Sequence, residues 1–376
     1  MLSIAIDSGP LSGGHSVRGI GVMVKEQIQA IKRLSDQAIK LETFDFAANH
    51  QSLITNHYDI VHYPYFFPYA LTLPSRKYGE KMVVTIQDLI QLIYPNNYPP
   101  GIRGKLNFYK QRIRLKNVDA VITISETSKK DIVRFLGIPA EKIHVIYLAP
   151  TSFYKVINDK EKLKDVRRKY NLPSKFVFYL GDVNYNKNIP TLIKACEIAG
   201  LPLAIGGKHA TEVGSGEISL KAVKGPRDWI RFILGKPHPE TAHFRELEKL
   251  FSNNKNIIRT GYIPDEDIAA VFNCATVCCQ PSFYEGFGLS VVNSFACGVP
   301  VVIAKTQALV EIADGAALVA DPNDGTDFAD KISSLINNPA LRGQTIKKGF
   351  ERVKFFSWEK TAREMIDLYK KVTNDM

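Results

Sequence analysis

Paired cysteines, long apolar runs and metal-ligand spacings are all missing from this sequence. The five cysteines, Cys196, Cys274, Cys278, Cys279 and Cys297, form no C-x-x-C pair. Their number is odd and each lies in or beside an apolar segment. That excludes a disulfide framework and fits reduced, buried thiols. The eight histidines show no ligand spacing, so no metal centre is expected. Apolar runs such as 120–124 and 176–180 are strand-sized, well short of the roughly 18 residues a membrane-crossing helix needs. The opening Met1-Leu2-Ser3-Ile4-Ala5-Ile6-Asp7 has neither a charged start nor a long apolar core. No signal peptide is therefore expected, and a cytoplasmic protein is. Acids are the scarcer charge: 38 Asp and Glu against 49 Lys and Arg leave a net +11. Such a surplus favours anionic partners, whether nucleotides, acidic lipid or nucleic acid.

What is present describes a folded α/β protein. Apolar residues make up 45% and charged residues 23% of the 376, a globular balance, and at about 150 residues per domain the length suggests two domains. Short β-branched runs alternate with helical patterns. Strands are predicted at 3–7, 59–63, 82–87, 120–125 and 143–148, then at 176–180, 203–205, 257–261, 276–280, 300–303 and 317–319. Helices are predicted at 22–34, 103–116, 126–136, 190–199, 244–251, 266–274, 289–297, 326–336 and 357–372. Repeated strand–helix–strand units require parallel sheets covered on both faces. A charge-dense stretch, 151–171, followed by Pro173, marks the expected joint. The expected division is 1–172 and 173–356, with the last helix, 357–376, packing back on the first domain. The fold class is α/β, with two Rossmann-like, doubly wound domains facing across a cleft and function in the loops after the strands.

The most informative loop follows a strand that ends at Gln280. It reads Pro281-Ser282-Phe283-Tyr284-Glu285-Gly286-Phe287-Gly288-Leu289, and a helix starts near Leu289. Amides at a helix start, beside glycines that allow close approach, can hold a diphosphate without a cationic side chain. Glu285 stands where a carboxylate can accept from sugar hydroxyls, and Asn293 lies about one turn inside the helix. This segment resembles the E-x7-E signature of retaining GT-B glycosyltransferases of family 4, including the closing Gly298-Val299-Pro300. Phe178-Tyr179-Leu180-Gly181-Asp182-Val183-Asn184-Tyr185-Asn186-Lys187-Asn188 resembles that family's donor loop. Ile124-Ser125-Glu126 and the stretch from Ala308 to Pro322 resemble two further parts of it.

The resemblance implies the GT-B fold and a set of donor-side roles. Glu285 matches the acid beside the donor sugar, and Gly286, Phe287, Gly288 and Leu289 match the backbone around the diphosphate. Lys187 matches the donor-loop lysine that faces phosphate oxygens, with Gly181 and Asn184 in the same loop. Two positions depart from the pattern: the second Glu is Asn293, and the Arg often found before the lysine is Asn186. Lys208, after Gly206-Gly207, is the candidate for the missing cation. In the amino half, the loop from Leu11 to Gly21 brings Gly19 and Gly21 forward as acceptor-side candidates, together with His62 and Asp88 at strand ends.

Asp265-Glu266-Asp267 spells D-x-D but opens a helix after Pro264, where acids suit the positive end of the helix dipole. The expected reaction is therefore metal-independent and uses no cofactor beyond its substrate. It is the retaining transfer of a hexosyl unit from a nucleotide-diphosphate sugar to a glycan or lipid-linked acceptor. The alternatives are a non-catalytic, nucleotide-binding relative, suggested by Asn293 and Asn186, and a sugar-nucleotide epimerase. Nucleic acid is not an expected partner. Basic and apolar residues mix at 101–116 and 224–236, which suggests an anionic membrane surface and a peripheral place at the inner membrane face.

Overall fold

The computed structural model describes residues 1–12, 19–35, 38–47, 56–214 and 238–374. The chain forms two compact units, the first made of Met1–Pro95, Pro99–Ala149 and Phe356–Met376, the second of Asn96–Tyr98 and Pro150–Phe355. Segment 224–236 lies outside the described residues, as do positions 13–18 of the amino-terminal glycine-rich loop.

The first unit holds a six-stranded parallel sheet in the order β2-β1-β3-β4-β5-β6. Its strands are β1 (Leu2–Asp7), β2 (Ile39–Phe44), β3 (Ile60–Tyr63), β4 (Lys81–Thr85), β5 (Ala120–Thr123) and β6 (Ile143–Val145). Inner strands β3 and β5 are buried at every position, as expected where helices cover both faces. The helices are α1 (Gly19–Leu34), α2 (Ile90–Ile93), α3 (Gly101–Leu115) and α4 (Glu126–Leu136). α4 starts where Ser125 accepts a bond from the Ser128 amide and stops at left-handed Gly137.

The second unit repeats the plan in the order β12-β11-β10-β7-β8-β9. Its strands are β7 (Val177–Leu180), β8 (Leu203–Gly206), β9 (Ile257–Gly261), β10 (Val277–Gln280), β11 (Val301–Ala304) and β12 (Leu318–Ala320). The helices that bear on the site are α5 (Lys160–Lys169), α6 (Ile189–Ala199), α7 (Lys208–Glu212), α8 (Pro239–Asn253), α9 (Asp265–Cys274) and α10 (Leu289–Ala296). They are followed by α11 (Gln307–Ala313), α12 (Gly325–Asn337) and α13 (Pro339–Val353).

The boundary between units falls at Ala149–Pro150 rather than after residue 172. The charge-dense stretch is not a linker. It carries α5, whose Val166 is buried in the second core and whose Arg167 donates to the carbonyls of Pro173 and Cys274. Lys169 closes on Asp267 at 2.6 Å. That contact also accounts for the D-x-D: Asp267 accepts from both Lys169 and Tyr170, from the first turn of α9.

The last helix, α14 (Trp358–Asn374), packs on α1 in the first unit. Its buried Ala362, Met365, Ile366 and Tyr369 recur at helical spacing. His62, fully buried on β3, lies between Thr85 Oγ1 at 2.7 Å from Nε2 and the Tyr369 hydroxyl at 2.8 Å from Nδ1. Both ring nitrogens are thus taken, and His62 is a structural clasp rather than an acceptor-side residue.

Burial pulls this imidazole from its ordinary 6.5 down to about 3. Between those values the unfolded chain takes up a proton that the folded chain refuses, so stability falls as the pH drops. The slope is about 1.4 kcal/mol per pH unit. His62→Gln is expected to make the decline in melting temperature between neutral and acid pH shallower. An unchanged slope in thermal melts would count against this account of His62.

Candidate active site

The order of the second sheet reverses between β7 and β10: from β7 the chain builds outward through β8 and β9, from β10 through β11 and β12. Loops that leave two adjacent strands at such a switch point part to opposite faces and leave a crevice at the carboxyl ends. Lys187 comes from the loop after β7 and Glu285 from the loop after β10. They meet as an ion pair, with Lys187 Nζ 2.7 and 2.8 Å from the two carboxylate oxygens of Glu285. The lysine side chain is 19% exposed and the glutamate 10%, so water screens this pair less than a surface bridge.

Two neutral donors fix the carboxylate. Gln280 Nε2 donates to Glu285 Oε1 at 2.6 Å, and Ser282 Oγ donates to the same oxygen at 2.7 Å. Gln280 also reaches Ser282 at 3.0 Å. Three donors therefore converge on Oε1, while Oε2 takes one of the lysine bonds. Gln280 and Ser282 went unnoticed in the sequence; the signal was a polar residue closing the buried strand Val-Cys-Cys-Gln.

The two loops are stitched together by asparagines. Asn186 is buried; its Oδ1 accepts from the Tyr98 hydroxyl at 2.7 Å and its Nδ2 donates to the Tyr284 carbonyl at 3.2 Å. Its own carbonyl accepts from the Phe283 amide. The side chain of Asn186 thus braces the loop and is not turned toward a donor. Asn188, in a left-handed conformation at φ 53°, sends Nδ2 to the carbonyls of Pro281 and Pro322, while its Oδ1 accepts from the Thr191 hydroxyl in the first turn of α6. Asn184 opens the turn that carries Lys187, its carbonyl accepting the Lys187 amide.

Gly288 precedes α10 at φ 103°, and a Cβ there would meet Leu309 at 2.7 Å. Only glycine lets the chain turn into the helix here. The first-turn amides of α10 have no acceptor within the helix. Gly286 and Phe287 are buried in the same turn, and Leu289 is half-buried. Asn293, one turn in, is buried, and its Oδ1 has no hydrogen-bond partner among the described residues.

A family model described as Glycosyl transferases group 1 matches residues 159–352, more than half of the chain. The chain belongs to the glycosyl transferases group 1 family. A second model, Glycosyltransferase Family 4, matches residues 25–149. The O-antigen chain mannosyltransferase B of Escherichia coli is 29% identical over 322 residues, covering 83% of this chain and 74% of the relative. The serotype-specific mannosyltransferase WbdA of Escherichia coli is 24% identical over 320 residues; these cover 82% of this chain but only 36% of the relative. The structure of a sucrose-phosphate synthase from Thermosynechococcus elongatus matches with a TM-score of 0.71 at 20% identity, covering 100% of both chains. That likeness shows the GT-B fold expected from the resemblance.

In this glycosyltransferase the remaining candidates fall into two groups. Gly181 directly follows β7, and its amide donates to the carbonyl of Gly206, the last residue of β8. Lys208 does not join Lys187. It is exposed at the start of α7 and lies 3.7 Å from Glu212, one turn along the same helix. On the acceptor side, Gly19 is exposed at the start of α1 and Gly21 is buried in its first turn. Asp88 follows β4, half-buried, and accepts from the Ile90 amide. Asp7, at the end of β1 and overlooked in the sequence, accepts from the amides of Gly9 and Phe46, and burial pushes its carboxyl above the usual range.

Proposed function

We propose that this glycosyltransferase moves a hexosyl unit, with retention and without a metal ion, from a nucleotide-diphosphate sugar to a glycan or lipid-linked acceptor. The observation that carries the reading is the Glu285–Lys187 pair at the switch point, held from behind by Gln280 and Ser282. The Lys187 ammonium is a fixed positive charge beside Glu285, and such a charge attracts a diphosphate oxygen. As the sugar–phosphate bond breaks, charge gathers on the leaving diphosphate. Lys187 and the first-turn amides of α10 offset it, the service a divalent ion would otherwise perform. Glu285, its Oε1 held by Gln280 and Ser282, accepts from sugar hydroxyls and orients the ring. Asn293 Oδ1 accepts from a ribose hydroxyl, a weaker bond than the charge-assisted one a glutamate would make.

The two Escherichia coli relatives are named as mannosyltransferases, which favours a mannosyl donor here. The reaction is assigned to the cytoplasm. The test is a thermal-shift panel of UDP-, GDP- and ADP-sugars, followed by transfer assays with and without a chelator. One nucleotide class is expected to raise the melting temperature by mass action. Turnover should be indifferent to the chelator, and NMR should show the donor's anomeric configuration in the product. Inversion, or loss of activity on chelation, would overturn the corresponding part of the reading.

A further inference from the structure

We propose that the outer face of α3 docks on an anionic lipid surface. This goes beyond the reading of the donor site and does not depend on it. The inner face of α3 is committed to its own unit. Gln111 donates to Thr72 and the Phe67 carbonyl, Asn107 to the Tyr69 carbonyl and Arg114 to the Leu73 carbonyl, while Leu115 is buried in the core. A Cβ on Gly104 would already be in contact with Tyr69, 3.4 Å from its Cβ, so the helix lies close against that residue.

The outer face is apolar and uncovered. Ile102 is 71% exposed, Leu106 53%, Tyr109 65% and Ile113 48%. At about 100° per residue these four positions share roughly 60° of the helix circumference. They form a single stripe. Cations flank it on both sides: Lys105, Arg112 and Lys116 along one edge, Arg103 and Lys110 along the other. The helix contains no acid, and among the described residues none of these five cations is ion-paired. Beside the first turn a hollow of about 460 Å³, lined by Tyr69, Leu71, Pro100 and Arg103 among others, extends the patch, with Leu71 40% exposed.

Each feature has a separate consequence, and together they single out one occupant. Isolated exposed apolar side chains are common, but an aligned stripe of four over a helix is not. A core of branched aliphatics does not suit nucleic acid, which offers phosphates and base edges. A bilayer surface offers both layers: acyl chains for the stripe and anionic headgroups for long cationic side chains that reach up from either edge. Lipid of negative charge complements cations that have no counter-ion on the protein, and the attraction fades within a Debye length as salt rises.

The experiment is cosedimentation of the full chain with phosphatidylcholine vesicles and with vesicles that also contain phosphatidylglycerol, at low and at physiological salt. The protein is expected to pellet with the anionic vesicles, less so as salt rises, and to stay in solution with the neutral ones. The variant L106S/Y109S/I113S should lose at least about tenfold in partitioning, and K105E/K110E/R112E a comparable factor. Both should keep the wild-type melting temperature, since the altered side chains are exposed. No binding to anionic vesicles at low salt overturns the proposal. So does an apolar variant that binds like wild type, because charge alone would then explain the adhesion. A wild-type dimer that the apolar variant converts to monomer on size exclusion would assign the face to a second copy and also overturn it. The assay uses no nucleotide sugar, so its failure and failure of the donor-site reading are separate results.

Discussion

Lys187→Ala and Glu285→Ala are each expected to lower sugar transfer by about 10²- to 10³-fold. The double variant should be no worse than the poorer of the two. On the proposed reading, removing the ammonium takes away the charge that meets the leaving diphosphate, and it also deprives Glu285 of its ion-pair partner. Removing the carboxylate leaves the lysine to swing toward any anion. Each change disables the same two-part device, so their costs do not add. Folding is expected to survive in both, because Gln280 and Ser282 still satisfy Glu285 when the lysine is gone. The loss of one charged hydrogen-bonding partner should cost about 2 kcal/mol. Steady-state rates with saturating donor, read beside melting temperatures, check the claim. Near-wild-type turnover in both single variants would remove this pair from the reaction.

The largest effect on stability is expected at Gly207. Its φ of 137° is one that side-chain-bearing residues rarely adopt, and a Cβ built there would stand 2.4 Å from the carbonyl oxygen of Gly181. The neighbour is backbone, so nothing can rotate aside. The Gly207 amide also donates to the Gly261 carbonyl at 2.9 Å, and the Gly181 amide to the Gly206 carbonyl at 3.0 Å. A displaced residue 207 would strain both bonds. Gly207→Ala is expected to cost about 3 kcal/mol or more, lowering the melting temperature of the second unit by roughly 10 °C. Gly343→Ala is the control. Nothing lies within 4 Å of a Cβ there, and it sits inside α13, so about 0.5–1 kcal/mol of gain is expected. Similar melting curves for the two variants would contradict the contact geometry.

The parallel sheets were legible because a strand covered on both faces has no polar alternation to blur it. Val-Phe-Tyr-Leu and Val-Val-Ile-Ala could be little else. β2 was missed for the opposite reason. It is an edge strand, Ile-Lys-Leu-Glu-Thr-Phe, with Lys40 and Glu42 paired on its exposed side. α5 was misread as a linker because its anchoring depends on few apolar residues and on charges whose partners lie about a hundred positions away.

At the site, the loops that carry Lys187 and Glu285 were legible because glycines and a helix start leave a local signature. What supports them does not. Gln280 looks like any strand-end amide until Glu285 is seen beside it. His62 at a strand end reads in one dimension like a residue offered to a ligand; the residue that encloses it, Tyr369, comes 307 positions later. Asn186 reads as a lost arginine, whereas its amide is a brace between loops. Sequence shows which chemistry is present, and long-range burial decides which of it is available.

The clasp of Tyr369 on His62 has a consequence for the order of assembly. The first unit is interrupted by the second and completed only by its closing helix. During synthesis, the stretch that builds the sheet bearing Lys187 and Glu285 leaves the ribosome with all its strands before α14 has appeared. The half made later can therefore be finished earlier, while the half begun first waits, its imidazole and the packing face of α1 uncovered, for the last turns of the chain.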